Sequence, residues 1–435
     1  MWLVLLVLAP APLAAQGQEL LNANGPSPEA PSFADMFTAA VAESARTPIE
    51  NPAALIPFFE QLYRHDAGEL AGPVRILQYG DSHTAADTWT GALRDRFQAM
   101  FGDGGSGYLL VGKPWRTYRH EGIRTGSSDG WYTNGLVGRY GDGVNGLGGI
   151  SMSADRKGEW VYVEADAEHF ELLYWKQLGG GSLAVYDNGL VVDFISTATP
   201  VGETPHTGLY RLDVPPGLHR FEVRTLEKAP VRLFGWVAEN PSGVIYDSLG
   251  INGAQAVTTQ RWDVRTLFEN IRHRDPALIV LSYGTNDAGS ANWTVESYRD
   301  MFLDVIAEFR AAAPTASILI IGPPDRSQKT RRGWQTMRRI ATITEAEREA
   351  AFISGSAFLD LQDVMGGPGA MLDWAQTNLA QNDHVHLSTP GYELLGAAIF
   401  NNMMRQYQLF LDARATMMPA ADASPETPEG TGLPQ

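Results

Sequence analysis

The stretch Val74-Arg75-Ile76-Leu77-Gln78-Tyr79-Gly80-Asp81-Ser82-His83 decides how this chain is read. Residues 74–79 are β-branched, apolar or aromatic except for Arg75 and Gln78, the composition of a core strand. They run directly into Gly80-Asp81-Ser82-His83, and a helical pattern over 85–100 follows. Strand, sharp loop and helix together place a serine just beyond the carboxyl end of a buried strand. Open α/β sheets collect their ligands at that edge.

The same rhythm resumes much later. Buried strands are expected over 243–248, 277–283, 317–321 and 358–361. Helical patterns lie at 258–272, 295–313 and 336–352, with a closing helix over 392–411. With 74–78 this makes a mostly parallel sheet covered by helices on both faces, a three-layer α/β/α unit. From about Gly102 to Glu239 the composition changes to Gly, aromatics and short alternating runs such as Trp160-Val161-Tyr162-Val163 and Phe221-Glu222-Val223-Arg224. Turn signals separate them, among them Asp187-Asn188-Gly189 and Pro215-Pro216-Gly217, so this part reads as an inserted all-β sandwich. The division that follows is an α/β unit at 71–125 and 241–412 with an insert at 126–240. A lead-in with short helices occupies 16–70 and a disordered tail 413–435. The segment 363–381, with Gly366, Gly367 and Gly369, reads as a mobile lid.

Bulk properties exclude several classes of function. The net charge of −17, from 33 basic and 50 acidic residues, offers no basic footprint for nucleic acid or for an anionic membrane surface. The absence of cysteine removes thiol catalysis, disulfides and Cys-ligated metals. Residues 2–13 are an apolar run too short to span a bilayer, followed by Ala14-Ala15-Gln16. It reads as a signal peptide ending near Ala15, although no Lys or Arg precedes it. Export, with no stable membrane span after cleavage, is the expectation.

Two further groups belong at the same sheet edge as Ser82. Gly284-Thr285-Asn286-Asp287 ends another predicted strand, and Asp383-His384-Val385-His386 precedes the last helix. These are the parts of an acyl-transfer site. A serine hydroxyl needs a base, which His386 supplies, and Asp383 can orient and stabilise the imidazole. The Ser82 and Gly253 backbone N–H groups and the Asn286 amide are the expected oxyanion donors, with Gly250 a competing choice for Gly253. His384, two residues before His386, is the rival for the base, and Asp287 is read as structural. Gly126-Ser127-Ser128-Asp129-Gly130 matches a nucleophile elbow but lacks the following helix. The glycine clusters 102–107 and 141–146 match a dinucleotide fingerprint but open no helix.

The blocks at Gly80-Asp81-Ser82-His83, Ile251-Asn252-Gly253-Ala254, Gly284-Thr285-Asn286-Asp287 and Asp383-x-x-His386 resemble, in order, those of the SGNH/GDSL hydrolases. His83 stands where many members carry Leu. The resemblance implies a flavodoxin-like fold, no metal or other cofactor, and ester hydrolysis through Ser82. The segment Gly80 to Ala85, the Gly-rich 101–107, the inserted β domain and the late Asp-x-x-His are similar to periplasmic peptidoglycan O-acetylesterases, whose insert resembles a carbohydrate-binding module. That implies an acetylated envelope glycan as substrate and a periplasmic or otherwise exported enzyme. Trp131, Tyr132 and Trp175 would either stack on sugar or fill the sandwich core. Other acetylated polysaccharides or lipid esters, acyl transfer, and glycan binding without chemistry remain as alternatives.

Overall fold

A computed structural model describes residues 49–290 and 292–417. The expected signal peptide and the lead-in up to residue 48 lie outside the described residues, as does most of the expected tail.

Five strands form one parallel sheet in the order Val244–Gly250, Val74–Gly80, Leu278–Ser282, Ser317–Ile321, Ala357–Leu359. Numbered along the chain this is 2-1-3-4-5, the flavodoxin-like order. Alternation along each strand divides the apolar side chains between two cores. Val74, Ile76, Val280 and Leu319 face the layer built by the helices Ile56–Asp66, Trp89–Phe101 and Thr389–Met417. Leu77, Tyr79, Ile279 and Ile318 face the layer built by Val264–Arg274, Val295–Ala312 and Arg339–Ser354. A strand apolar on both faces therefore has a helical layer on each side, as its sequence requires.

The order reverses between Val74–Gly80 and Leu278–Ser282, because the chain adds its second strand on one side of the first and its third on the other. Ligands of such sheets bind beyond the carboxyl ends of the strands at this point of reversal. Gly80 pairs with both Gly250 and Ser282, so Ser82 and Asn286 leave the sheet at neighbouring points.

The insert is two packed antiparallel sheets. One has the order His206–Asp213, His169–Lys176, Val231–Glu239, Ser151–Ala154, Tyr132–Asn134. The other has Arg124–Ser127, Trp160–Asp166, Leu218–Thr225, Ser182–Asp187, Leu190–Ser196. In Trp160–Asp166 the inward residues are Val161, Val163 and Ala165, the period of a half-buried strand.

Several boundaries differ from the sequence reading. The insert begins well before residue 126: Gly107–Leu109 pairs with Val231–Glu239, and Leu109 and Val111 lie in the sandwich core. This strand is three residues long and follows a glycine-rich turn, so it carries little periodicity. The last helix passes residue 412 and runs to Met417; Arg414 holds it by bonding Glu60 at 3.1 Å and lying over the ring of Tyr63. The segment 363–381 is packed rather than lid-like. It contains the helix Ala370–Gln376, Met371 is fully buried, and buried Asp325 accepts from the Gly369 and Met371 N–H groups at 3.1 and 2.9 Å. The expected helix over 258–272 divides into a 3₁₀ turn, Ala256–Arg261, and an α-helix, Val264–Arg274, capped by Asp263. A hairpin, Ser327–Thr330 with Gly333–Thr336, was not expected.

Candidate active site

Ser82 opens a four-residue helix, Ser82–Ala85, directly after the first strand. Asp81 caps it by accepting the His83 N–H at 2.9 Å. Burial pushes the Asp81 carboxyl up to about 6 against the lowering effect of that N–H and of Thr285. The chain can turn this sharply because Gly80 and Gly250 have no side chains. A methyl group on Gly80 would lie 2.2 Å from Thr84 Oγ1, and one on Gly250 2.7 Å from the Asp81 carbonyl.

The late Asp-x-x-His group folds over this edge. His386 Nε2 lies 2.9 Å from Ser82 Oγ, and His386 Nδ1 lies 2.7 Å from Asp383 Oδ2. The other Asp383 oxygen accepts the backbone N–H groups of Val385 and His386, both at 3.0 Å. Burial raises the Asp383 carboxyl, but the His386 ring and these N–H groups outweigh it and hold the pKa below the ordinary carboxylate value. The side chains of His386 and Asp383 are 34% and 46% exposed, so water reaches this half of the site.

Asn286 follows the third strand and is half-buried. Its Nδ2 donates to the Ala254 carbonyl at 2.9 Å, which leaves its second amide proton free among the described residues. Gln255 returns a bond to the Asn286 carbonyl at 3.1 Å, tying this loop to the one that carries Gly253. Gly253 is exposed with a φ of 78°, and neither its N–H nor that of Ser82 has an acceptor among the described residues. Gly250 belongs to the sheet and packs on the Ser82 helix, which accounts for it without a role toward a ligand. Asp287 is buried and accepts the N–H groups of Ala256 and Gly284, both at 3.1 Å. Burial pushes its carboxyl up to about 7.

His83 and His384 occupy distinct places. The His83 ring lies 5.3 Å from that of His386 and its Nδ1 is 2.9 Å from the Tyr392 hydroxyl. Burial, and then the nearby His386 imidazole, push His83 down to about 3, so it stays neutral beside the site. His384, with a φ of 56°, stacks on Trp334 with ring centroids 4.1 Å apart. One further residue was not anticipated. Arg326 donates to the Thr285 carbonyl at 2.6 Å, and its charge acts on Asp81 and Asp383. It follows the fourth strand, so the rule that placed Ser82 and Asn286 at the carboxyl edge would have found it too. In the insert, Trp131 and Trp175 are core residues, whereas Tyr132 is 55% exposed. Among the described residues no group of three or more His, Asp or Glu side chains is placed to hold a metal, and no helix is long and apolar enough to cross a membrane.

A base bonded to a serine hydroxyl, a carboxylate on the far side of that base, and unpaired N–H groups nearby form an arrangement able to transfer acyl groups. Residues 224–394 match the GDSL-like Lipase/Acylhydrolase family. The matched stretch contains the loops of Gly253, Asn286 and His386 but not the strand of Ser82, which the insert separates from it. A structure described as peptidoglycan O-acetylesterase in action is 26% identical, with 81% of this chain and 96% of that one aligned at a TM-score of 0.69. The lipase/acylhydrolase of Enterococcus faecalis is 25% identical over 38% of this chain and 77% of its own, with a TM-score of 0.29. A family two carbohydrate esterase from Clostridium thermocellum, in complex with cellohexaose, is 12% identical over 60% of this chain and 95% of its own, with a TM-score of 0.30. No curated protein sequence matches the chain. The matched stretch and this structural likeness give the chain the fold of an SGNH/GDSL-type hydrolase and support an esterase. Within that class it resembles peptidoglycan O-acetylesterase over most of its length.

Proposed function

We propose that the protein removes O-acetyl groups from an envelope glycan, peptidoglycan first among them, through an acyl-enzyme on Ser82. The observation that carries this reading is the unbroken line from Ser82 Oγ to His386, at 2.9 Å, and on to Asp383, at 2.7 Å. His386 takes the hydroxyl proton as Ser82 attacks the acetyl carbonyl, and returns it to the sugar oxygen as that oxygen leaves. Asp383 fixes the tautomer that presents a bare Nε2 to Ser82 and stabilises the imidazolium. The oxyanion of each tetrahedral intermediate is held by the Ser82 and Gly253 N–H groups and the second proton of the Asn286 amide, donors without an acceptor among the described residues. Water, deprotonated by His386, then releases acetate. The exposure of His386 and Asp383 favours water over a second alcohol as acceptor. The likeness to a peptidoglycan O-acetylesterase supports both the substrate and export, with the insert as a carbohydrate-binding module.

Acetate release from O-acetylated peptidoglycan, measured beside cleavage of a small aryl acetate, tests this for wild type and Ser82→Ala. Release from both by wild type and from neither by the variant is expected. Cleavage of the aryl ester alone would remove the peptidoglycan assignment, and cleavage of neither would remove the esterase mechanism.

A further inference from the structure

The hairpin Ser327–Thr330 and Gly333–Thr336 takes no part in the chemistry above, yet it is fastened to the loop that carries it. The Ser327 N–H donates to the His384 carbonyl at 3.0 Å, one residue from Asp383 and two from His386. The Trp334 indole lies on the His384 ring at 4.1 Å with an interplanar angle of 27°. Lys329 stands directly across the ladder from Trp334, so the two side chains share a face, and it is the face that meets His384.

The charge of this segment runs against that of the protein. Residues 326–339 contain six basic residues and no acidic one, in a chain of net charge −17. Lys329, Arg331 and Arg332 are exposed and make no ion pair among the described residues. Arg348, by contrast, contacts Glu50, Glu345 and Asp360. A concentrated patch of unpaired cations beside a half-exposed indole is suited to a ligand with an apolar ring face and anionic substituents.

We infer that this hairpin is a binding site for carboxylate-bearing glycan, with Trp334 against a sugar ring and Lys329, Arg331 and Arg332 paired to carboxylates along the strand. The inference rests on the reading of Ser82 as the nucleophile of a glycan deacetylase, and it adds the charge that the polymer must carry. A polyphosphate is a poorer fit, because the remainder of the acidic surface repels a long uniform anion. A glycan whose carboxylates are spaced along it meets the local patch only where it approaches the catalytic loop.

The test compares the full chain with the combined variant Lys329→Gln, Arg331→Gln, Arg332→Gln on three substrates: O-acetylated peptidoglycan, acetylated xylan as a neutral polymer, and an aryl acetate. The variant should keep aryl-acetate and xylan turnover within about twofold. Its KM for peptidoglycan should rise about tenfold at low salt, and the difference should vanish at about 1 M salt, where exposed charges are screened. An unchanged peptidoglycan KM overturns the inference. So does an equal loss on the aryl ester, which would make the hairpin a brace for the catalytic loop. If wild type cleaves the aryl ester but releases no acetate from peptidoglycan, the proposed substrate fails independently of the hairpin. The hairpin is then judged by sedimentation of Ser82→Ala with purified peptidoglycan, with and without the three charge changes. Weaker binding without the charges supports the site, and equal binding overturns it.

Discussion

Gly250, at the end of the second sheet strand, lies against Ala85, at the end of the nucleophile's helix, so closely that a methyl group on it would sit 2.1 Å from the Ala85 nitrogen. The same methyl would meet the Thr84 carbonyl carbon at 2.6 Å. These are backbone atoms, which cannot swing aside as a side chain could. Gly250→Ala should therefore displace the Ser82 turn, lowering kcat at least tenfold and costing about 1–3 kcal/mol of stability. Paired kinetic and denaturant measurements check this, and wild-type kcat in the variant would contradict the packing argument.

Asp383 works from a partly wet position. Asp383→Asn keeps the shape but offers an amide where a carboxylate held the imidazole. In a buried triad this costs about 10⁴ in kcat. Solvent here stabilises part of the imidazolium charge, so a loss nearer 10² is expected, measured with an aryl acetate at several pH values. A loss below fivefold would remove Asp383 from the mechanism.

Asn286→Ala removes one of the proposed oxyanion donors while leaving Ser82 and His386 in place. A fall of about 10²–10³ in kcat with little change in KM is expected. A rise in KM alone would assign the amide to ground-state binding instead.

His83 gives the protein a definite acid response. The folded protein holds His83 neutral down to about pH 3, whereas the unfolded chain protonates it near its ordinary value of 6.5. As pH falls through 6.5 the unfolded state gains protons that the folded state refuses, so stability falls until about pH 3. His83→Leu lacks this penalty. Its melting temperature should decline less than that of wild type between pH 7 and 4, and parallel curves would refute the assignment. Buried His120 titrates in the same direction in both proteins and drops out of the comparison.

Arg274 joins the two parts of the molecule. It is buried, donates to Asp247 Oδ2 at 2.9 Å and also bonds Glu239. Asp247 in turn accepts the Tyr108 N–H at 2.7 Å. Arg274→Met leaves buried Asp247 without a cation, while Glu239 keeps Arg75 at 2.7 Å, and should cost about 3–5 kcal/mol in denaturant unfolding. A cost under about 1 kcal/mol would show that Asp247 finds another partner or a proton.

What could be read from the sequence followed from how strongly each residue is constrained locally. The strands at Ile76 and Ile318 carry apolar residues on both faces, and a parallel sheet covered by helices buries such runs fully. Ser82, Asn286 and His386 stood out as candidates because each stands where a strong pattern ends, and the structure brings Ser82 and His386 within 2.9 Å. The strand at Gly107–Leu109 was not, since its partner Val231–Glu239 is remote in sequence and its own residues show no period. Tertiary bonding also decided the segment at 363–381. Its glycines suggested freedom, but Asp325, a residue outside the segment, holds the backbone at Gly369 and Met371. The Trp334–His384 stack was hidden for a similar reason, as nothing in the local sequence says which loops will meet.

Leu77 and Tyr79 of the parallel sheet belong to the same buried cluster as Tyr108, Leu173, Trp175 and Phe234 of the insert. The insert is therefore no cassette. An engineer who wished to exchange it for a different β module would find no clean place to cut, and would open the floor beneath the strand that leads to Ser82. The same joint forbids the two parts from melting separately, so heating should give one transition. Whatever the insert grips is thereby held at a fixed distance from Ser82, and the enzyme works its substrate as a rigid tool.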